Sequence, residues 1–200
     1  MKLIGITGGI GMGKSASANF LQAQGYPITD TDNLAREVVE PGEVALDHIV
    51  RVFGPGLLDS HGRLCRDKLA AIVFADPARR KELESILHPL IRTRWLQESA
   101  EWRRLGRSVG FVVIPLLYET KAESEFDAVV CVACTAATQQ ERLASRGWSV
   151  EEQQNRRDAQ WAIERKMAGA QYVIWTEGDI PSLHRQWEIT CANLGGRGRS

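Results

Sequence analysis

Gly8, Gly13, Lys14 and Ser15 occur in the spacing Gly-x-x-x-x-Gly-Lys-Ser, directly after an apolar run over residues 3–6. Glycines at those points let a loop turn successive backbone N–H groups inward, and a helix starting there offers its positive end to an anion. Such a cradle fits the phosphates of a nucleotide: Lys14 reaches the β- and γ-phosphates and the Ser15 hydroxyl ligates Mg²⁺. Asp30 and Asp32 offer a second chemistry. Read as the end of a strand, two residues of that spacing share a face. One carboxylate then accepts the proton of an attacking hydroxyl while the other supports Mg²⁺ through water. Capping of the following helix by Asp32 is the alternative.

Arg142 and Arg146 lie four apart, so on one helix they share a face, where they either clamp a transferring phosphoryl group or form a solvated pair. Arg36 follows Asp32 by one helical turn and can pair with it or meet an acceptor phosphate. The apolar run 111–114 closes without an acid, so the Mg²⁺-supporting aspartate of many phosphate-loop ATPases is missing there. That role shifts to Asp30 and Asp32, with Glu119 behind them. By spacing alone, His88 reads as a capping or core histidine. Trp148, Trp161 and Trp175 suit adenine stacking or core filling. Cys131 and Cys134 form a Cys-x-x-Cys, but a strand would point them to opposite faces, so they read as buried free thiols rather than metal ligands.

Short apolar runs over residues 3–6, 26–29, 110–114, 128–133 and 172–175 alternate with helical patterns over 15–23, 34–39, 138–146 and 182–194. That alternation predicts an α/β three-layer domain of about five parallel strands. We read 1–200 as one domain with two interruptions. Residues 41–107 are mainly helical, over 44–53, 66–74 and 77–104, with Pro89 opening a new helix or kinking the long one. Residues 147–169 read as a helix pair. A kinase closing over two substrates needs an acceptor-grasping insertion and a lid, and these stretches suit those tasks; crossover helices are the plainer reading of the second. The tail 195–200 has no apolar anchor and is expected to be disordered.

The chain has 200 residues, 44% of them apolar, enough for one substantial core, and 25 basic residues balance 25 acidic ones. Nothing in that balance points to nucleic acid or a membrane. The N-terminus enters a strand at once, without a leader pattern, and no apolar run approaches the roughly twenty residues needed to span a bilayer. The expectation is a soluble cytoplasmic enzyme acting on small molecules. Its oligomeric state is not legible.

Taken together, these pieces resemble the dephospho-coenzyme A kinase family over nearly the whole chain. The matching residues are Thr7-Gly8-Gly9-Ile10-Gly11 with Gly13-Lys14-Ser15, Asp30-Thr31-Asp32 with Ala35-Arg36, and Val38-Val39-Glu40-Pro41-Gly42. Phe53-Gly54, Gly62, Arg66, Leu69, Phe74, Leu87-His88-Pro89, Pro115-Leu116-Leu117-Tyr118-Glu119, the Arg142/Arg146 pair, Gln160 and Ala170 follow in order. The resemblance implies a P-loop NTPase fold with an inserted helical acceptor region and lid helices. The implied reaction moves the ATP γ-phosphoryl to the ribose 3′-hydroxyl of dephospho-CoA, the last step of coenzyme A synthesis.

By the same resemblance, Asp32 is the base, and Lys14 with Arg142 or Arg146 stabilises the phosphoryl group. Gly11, Met12, Gly13, Lys14, Ser15 and Ala16 form the ATP loop. Arg36, Arg66, His88 and the Pro115, Leu116 and Leu117 edge lie near the CoA moiety. Met12 stands where the family commonly has Ser, Ala16 where it has Thr, and Thr31 where it has Ala. Gln171 and Thr176 replace an Asp and an Asn, which alters nucleobase contacts. A nucleoside monophosphate or other small-molecule kinase is the nearest rival. A nucleotide-gated switch is the rival from another class; no Asn-Lys-x-Asp occurs, and Asp59-Ser60-His61-Gly62 matches a switch motif by letters only.

Overall fold

The apolar run near the N-terminus becomes β1 (Lys2–Thr7), the middle strand of a five-stranded sheet in the computed structural model. The structure describes residues 1–147 and 150–195, with the backbone alone for Val150 and Glu152. The other strands are β2 (Ile28–Asp30), β3 (Val109–Val113), β4 (Ala128–Ala133) and β5 (Tyr172–Trp175), in the order β2-β3-β1-β4-β5, every pair parallel. β3 and β4 are buried at every residue, which is why they read as continuous apolar runs rather than alternating ones. Winding changes direction across β1, and open α/β sheets bind ligands at the C-terminal ends of strands at such a point. β2 starts at Ile28 rather than at residue 26 because Pro27 has no N–H for the ladder; its carbonyl still accepts the Phe111 N–H at 2.9 Å.

One sheet face carries Ile4, Ile6, Phe111, Val113, Val130, Val132 and Ile174 against α1 (Lys14–Ala23) and α9 (Ile180–Asn193), which contribute Phe20, Leu21, Leu183 and the fully buried Trp187. Phe111 meets Trp187 and Tyr26 edge-on, at 5.9 and 5.5 Å between ring centroids. On the other face Gly5 leaves room for Leu117 and Phe126: a Cβ there would lie 2.6 Å from the Leu117 side chain.

Local chemistry sets the helix ends. Gly25, at φ 80°, follows the C-cap Gln24, and the N–H groups of Gly25 and Tyr26 return to the carbonyls of Gln22 and Leu21. This reversal ends α1 with its last carbonyls satisfied. Thr135 caps α6 (Ala136–Ala144) by accepting the Thr138 N–H, so the helix starts ahead of residue 138. Past Ala144 the backbone tightens, with the N–H groups of Arg146 and Gly147 bonded three residues back. Asp179 caps α9 through the Ser182 N–H at 2.9 Å. The stretch 147–169 contains α7 (Val150–Asp158) and α8 (Ile163–Gly169). Trp148 lies outside the described residues, as does the tail beyond Gly195.

The chain divides into two units, Met1–Asp30 with Ser99–Ser200, and Thr31–Glu98. The second holds α2 (Thr31–Glu37), α3 (Val44–Phe53), α4 (Arg66–Ala75) and much of α5 (Pro77–Arg104), which runs unbroken through Pro89 for 28 residues. Val38, Val39, Ala45, Ile49, Leu57 and Leu69 form its own core, with Leu83, Leu87 and Ile91 packed against them. Asp59 is a turn staple: its Oδ1 accepts the N–H groups of His61 and Arg63 at 2.8 and 2.9 Å. Those bonds hold its carboxyl below the usual carboxylate range, so the four letters 59–62 serve a turn. Among the described residues, no helix is long and apolar enough to cross a membrane.

Candidate active site

Where β1 ends, the chain passes close to the backbone of β4. Gly8 has φ 146°, and a Cβ there would lie 2.1 Å from the Val132 carbonyl oxygen, so only glycine fits. Lys14 opens α1, and its ammonium donates back to the Gly8 and Gly9 carbonyls at 2.8 and 2.9 Å. Ile10 is gripped at both polar ends. Its N–H donates to Gln160 Oε1 at 3.0 Å, and its carbonyl accepts from Gln139 Nε2 at 2.7 Å. The Thr176 hydroxyl donates to the Met12 carbonyl at 3.0 Å. The Met12 side chain is buried with Ala133 and Cys134 and packs against Ile163 and Met167 of α8, so this departure fills space beneath the loop. Gly11 and Gly13 are confined by Leu143 and Thr176, while Ser15 and Ala16 are exposed at the start of α1.

Arg142 and Arg146 do not share a helical face. α6 stops at Ala144, and Arg146 lies in the tightened turn beyond it, exposed. Arg142 is half-buried and fixed: its Nη1 donates to Thr176 Oγ1 at 2.9 Å and its Nη2 to the Thr176 carbonyl at 2.6 Å. Thr176 is therefore a hub for the loop and for the guanidinium. Gln171 also has a structural task, exchanging both polar ends with Val129: its N–H donates at 3.0 Å and its Oε1 accepts at 2.7 Å. Glu177 accepts the Thr135 N–H at 2.6 Å and the Thr138 hydroxyl at 2.9 Å, bonds that hold its carboxyl below the usual range.

Beyond β3, Pro115 and Leu116 are half-buried at the strand exit, and the Thr7 hydroxyl donates to the Pro115 carbonyl at 3.2 Å. Glu119 does not lie on the surface. Its Oε1 accepts from Lys166 Nζ at 2.8 Å and from the Trp161 N–H at 2.6 Å. Lys166 is fully buried, and the sequence reading missed it; a lysine in a short polar helix carries no signal of burial. Trp161 stacks on Tyr118 at 5.6 Å, with the Arg165 guanidinium 3.3 Å above its ring, so these partners occupy it within the protein. Trp175 is an exposed residue of β5 whose backbone N–H and carbonyl are both taken by the Gln186 side chain. Cys131 and Cys134 are buried free thiols, with burial pushing Cys131 up to about 11 against the pull of Lys166 and Lys14.

Asp30 is the last residue of β2, but Asp32 is neither a strand residue nor an N-cap. α2 already starts at Thr31, so Asp32 sits exposed in its first turn and the period-two argument does not apply. Arg36 is in the last turn of the same helix. Arg66, at the start of α4, donates through Nη2 to the Arg36 carbonyl at 3.4 Å and lies 3.5 Å from Glu40 Oε1. His88 is exposed on α5. Among the described residues, no three His, Cys, Asp or Glu gather into a metal cluster. The hydroxyl of Ser15 and the carboxylate of Asp30 are hard oxygen donors, the kind that suits Mg²⁺.

The sequence profile of the dephospho-CoA kinase family matches residues 2–182. The dephospho-CoA kinase of Anaeromyxobacter dehalogenans is 43% identical over 201 residues, covering 100% of this chain and 95% of that protein. The Thermus thermophilus protein TT1252 superposes with a TM-score of 0.82 at 38% identity, over 98% of each chain. A dephospho-CoA kinase from Campylobacter jejuni shares the fold, with a TM-score of 0.71 at 24% identity over 96% of this chain and 98% of that one. A phosphate loop at the exit of the central strand, on a parallel sheet flanked by helices, accords with these matches, and the chain belongs to the dephospho-CoA kinase family.

Proposed function

We propose that the chain transfers the γ-phosphoryl of ATP to the ribose 3′-hydroxyl of dephospho-CoA, with the following division of labour. The loop over Gly11, Met12, Gly13, Lys14, Ser15 and Ala16 receives the ATP phosphates on its backbone N–H groups and on the N-terminus of α1. The Lys14 ammonium, which rests on two loop carbonyls, exchanges them for phosphate oxygens and follows the charge as it moves to the leaving β-phosphate. Asp32 takes the proton of the attacking hydroxyl. Arg142, and Arg146 beyond the helix end, neutralise charge on the transferring group. Ser15, with Asp30 through water, would hold Mg²⁺, which would supply neutralisation of phosphate charge.

Phosphoryl transfer has a loose transition state, so positioning carries most of the acceleration, on the order of 7–11 kcal/mol, and a base adds about 10²- to 10⁴-fold. Arg36, Arg66 and His88, within the mainly helical 41–107 insertion and the helix before it, contact the CoA portion of the acceptor, as do Pro115 and Leu116. The segment 147–169 serves as the lid. The observation that carries this reading is the loop gripped by Gln139, Gln160 and Thr176, with Lys14 folded over it. An acceptor panel tests it: ATP consumption is expected with dephospho-CoA well above that with AMP, UMP or shikimate. Preference for any of the last three contradicts the substrate assignment.

A further inference from the structure

We infer that Lys166, paired with Glu119, is a positioning residue for the phosphoryl transfer: it fixes the exits of β1 and β3 and the link between α7 and α8 in one arrangement. The Lys166 side chain has 0% exposure and Glu119 has 15%. Lys166 Nζ donates to Glu119 Oε1 at 2.8 Å and to the Pro115 carbonyl at 2.7 Å. The same carbonyl accepts from the Thr7 hydroxyl at 3.2 Å, and Thr7 is the residue from which the phosphate loop departs. Glu119 Oε1 also takes the Trp161 N–H at 2.6 Å. The neighbouring Gln160 holds the Ile10 N–H of the loop at 3.0 Å. Through the two acceptors it shares, the Pro115 carbonyl with Thr7 and Glu119 Oε1 with the Trp161 N–H, the ammonium links the strand that delivers the loop, the strand exit that carries Pro115 and Leu116, and the helix link that touches the loop from outside.

Stability alone does not account for a charge in that position. Burying an ammonium and a carboxylate costs much of what their attraction returns, and apolar replacements of similar volume are often neutral or stabilising. Glu119 Oε2 is buried with no hydrogen-bond partner, as is the Tyr118 hydroxyl beside it in sequence, so the cluster is not arranged to maximise bonding. What the pair provides is direction. The ammonium ties α8 to two points of the stretch leaving β3, the Pro115 carbonyl and Glu119, and these acceptors in turn hold the Thr7 hydroxyl and the Trp161 N–H; a methyl group in place of the ammonium donates to neither. Displacements of about 1 Å in a transfer site can cost roughly 100-fold in rate.

The test compares Lys166→Met, Lys166→Arg and the double variant Lys166→Met with Glu119→Gln, reading kcat, KM for ATP and melting temperature with ATP and dephospho-CoA. Lys166→Met is expected to lower kcat about 10- to 100-fold, with KM for ATP changed less than about threefold, and to lower the melting temperature by stranding a buried carboxylate. The double variant is expected to regain the melting temperature but not kcat, and Lys166→Arg to regain part of kcat. Recovery of kcat together with melting temperature in the double variant would make the pair structural only and overturn the inference. So would unchanged kcat in a folded Lys166→Met. Should the single variant not fold, the double variant and Lys166→Arg carry the decision. The inference rests on the kinase reading, and the wild-type protein in the same assay separates the two: no turnover by wild type defeats that reading, whereas normal turnover by wild type and double variant defeats only this one.

Discussion

The phosphate loop and the helical unit Thr31–Glu98 are built by opposite means. In the loop, side chains hold the main chain: Gln139 and Gln160 on Ile10 and Thr176 on Met12 from outside it, and the loop's own Lys14 on Gly8 and Gly9. In the helical unit the candidate residues Asp32, Arg36, Arg66 and His88 are exposed side chains on helices whose packing lies elsewhere, among Val38, Ile49, Leu57 and Leu69. The difference follows from the ligand groups each would supply. Backbone N–H donors can be aimed only by fixing the backbone, and a loop has no ladder of its own to do so. A side chain on a helix is already aimed to within a rotamer, and what it needs is freedom to meet its ligand.

The contrast can be broken most sharply at Asp32. Asp32→Asn changes an exposed side chain, so folding stability should move by less than about 0.5 kcal/mol. As the base, its loss should lower kcat by about 10²- to 10⁴-fold while ATP binding, followed by calorimetry, is retained. Full activity in that variant places the base elsewhere.

Thr176→Val tests the loop side of the comparison. The substitution keeps volume but removes the hydroxyl bonded to Met12 and Arg142, leaving a buried carbonyl short of a donor at about 1–3 kcal/mol. Melting temperature should fall, and KM for ATP should rise about fivefold or more, by the same free energy. Arg66→Ala should do the reverse, raising KM for dephospho-CoA several-fold without altering melting temperature or KM for ATP, because its partners Glu40 and the Arg36 carbonyl are exposed. If Arg66→Ala shifts both substrates equally, the proposed division of tasks is wrong.

The smallest effect concerns acid. Glu177 is held below the usual carboxylate range by the Thr135 N–H and the two threonine hydroxyls. A depressed carboxylate contributes stability that is present above its unfolded pKa and is lost as pH falls through the folded value. Glu177→Gln should therefore lose a little stability at neutral pH and show a flatter acid limb below about pH 4.5, measured by thermal melts across pH. An unchanged acid limb removes Glu177 from the account.

The sheet was legible because its inner strands β3 and β4, buried on both faces, spell short continuous apolar runs; β4 and β5 occupy the expected residues. The loop was legible because glycine, lysine and serine at fixed spacing have few other uses. Errors fell where one residue's chemistry moved a boundary. Pro27 delays β2, the helix starting at Thr31 takes Asp32 out of the strand, and the turn after Ala144 takes Arg146 off the face of Arg142. Gln139 and Lys166 were not legible as site supports, because a polar residue on a helix looks the same whether it faces water or a buried carbonyl. Thr176 and Gln171 stood out only as departures from the family, and the structure gives each a bonded task.

The central claim is that this loop hands a phosphoryl group to one particular alcohol. The most direct measurement is phosphorus NMR of the product formed from ATP and dephospho-CoA by the wild-type protein. The account predicts a new monoester resonance assigned to the ribose 3′-position, growing in step with ADP. Release of ADP and inorganic phosphate without that ester, or an ester at another hydroxyl, would contradict it.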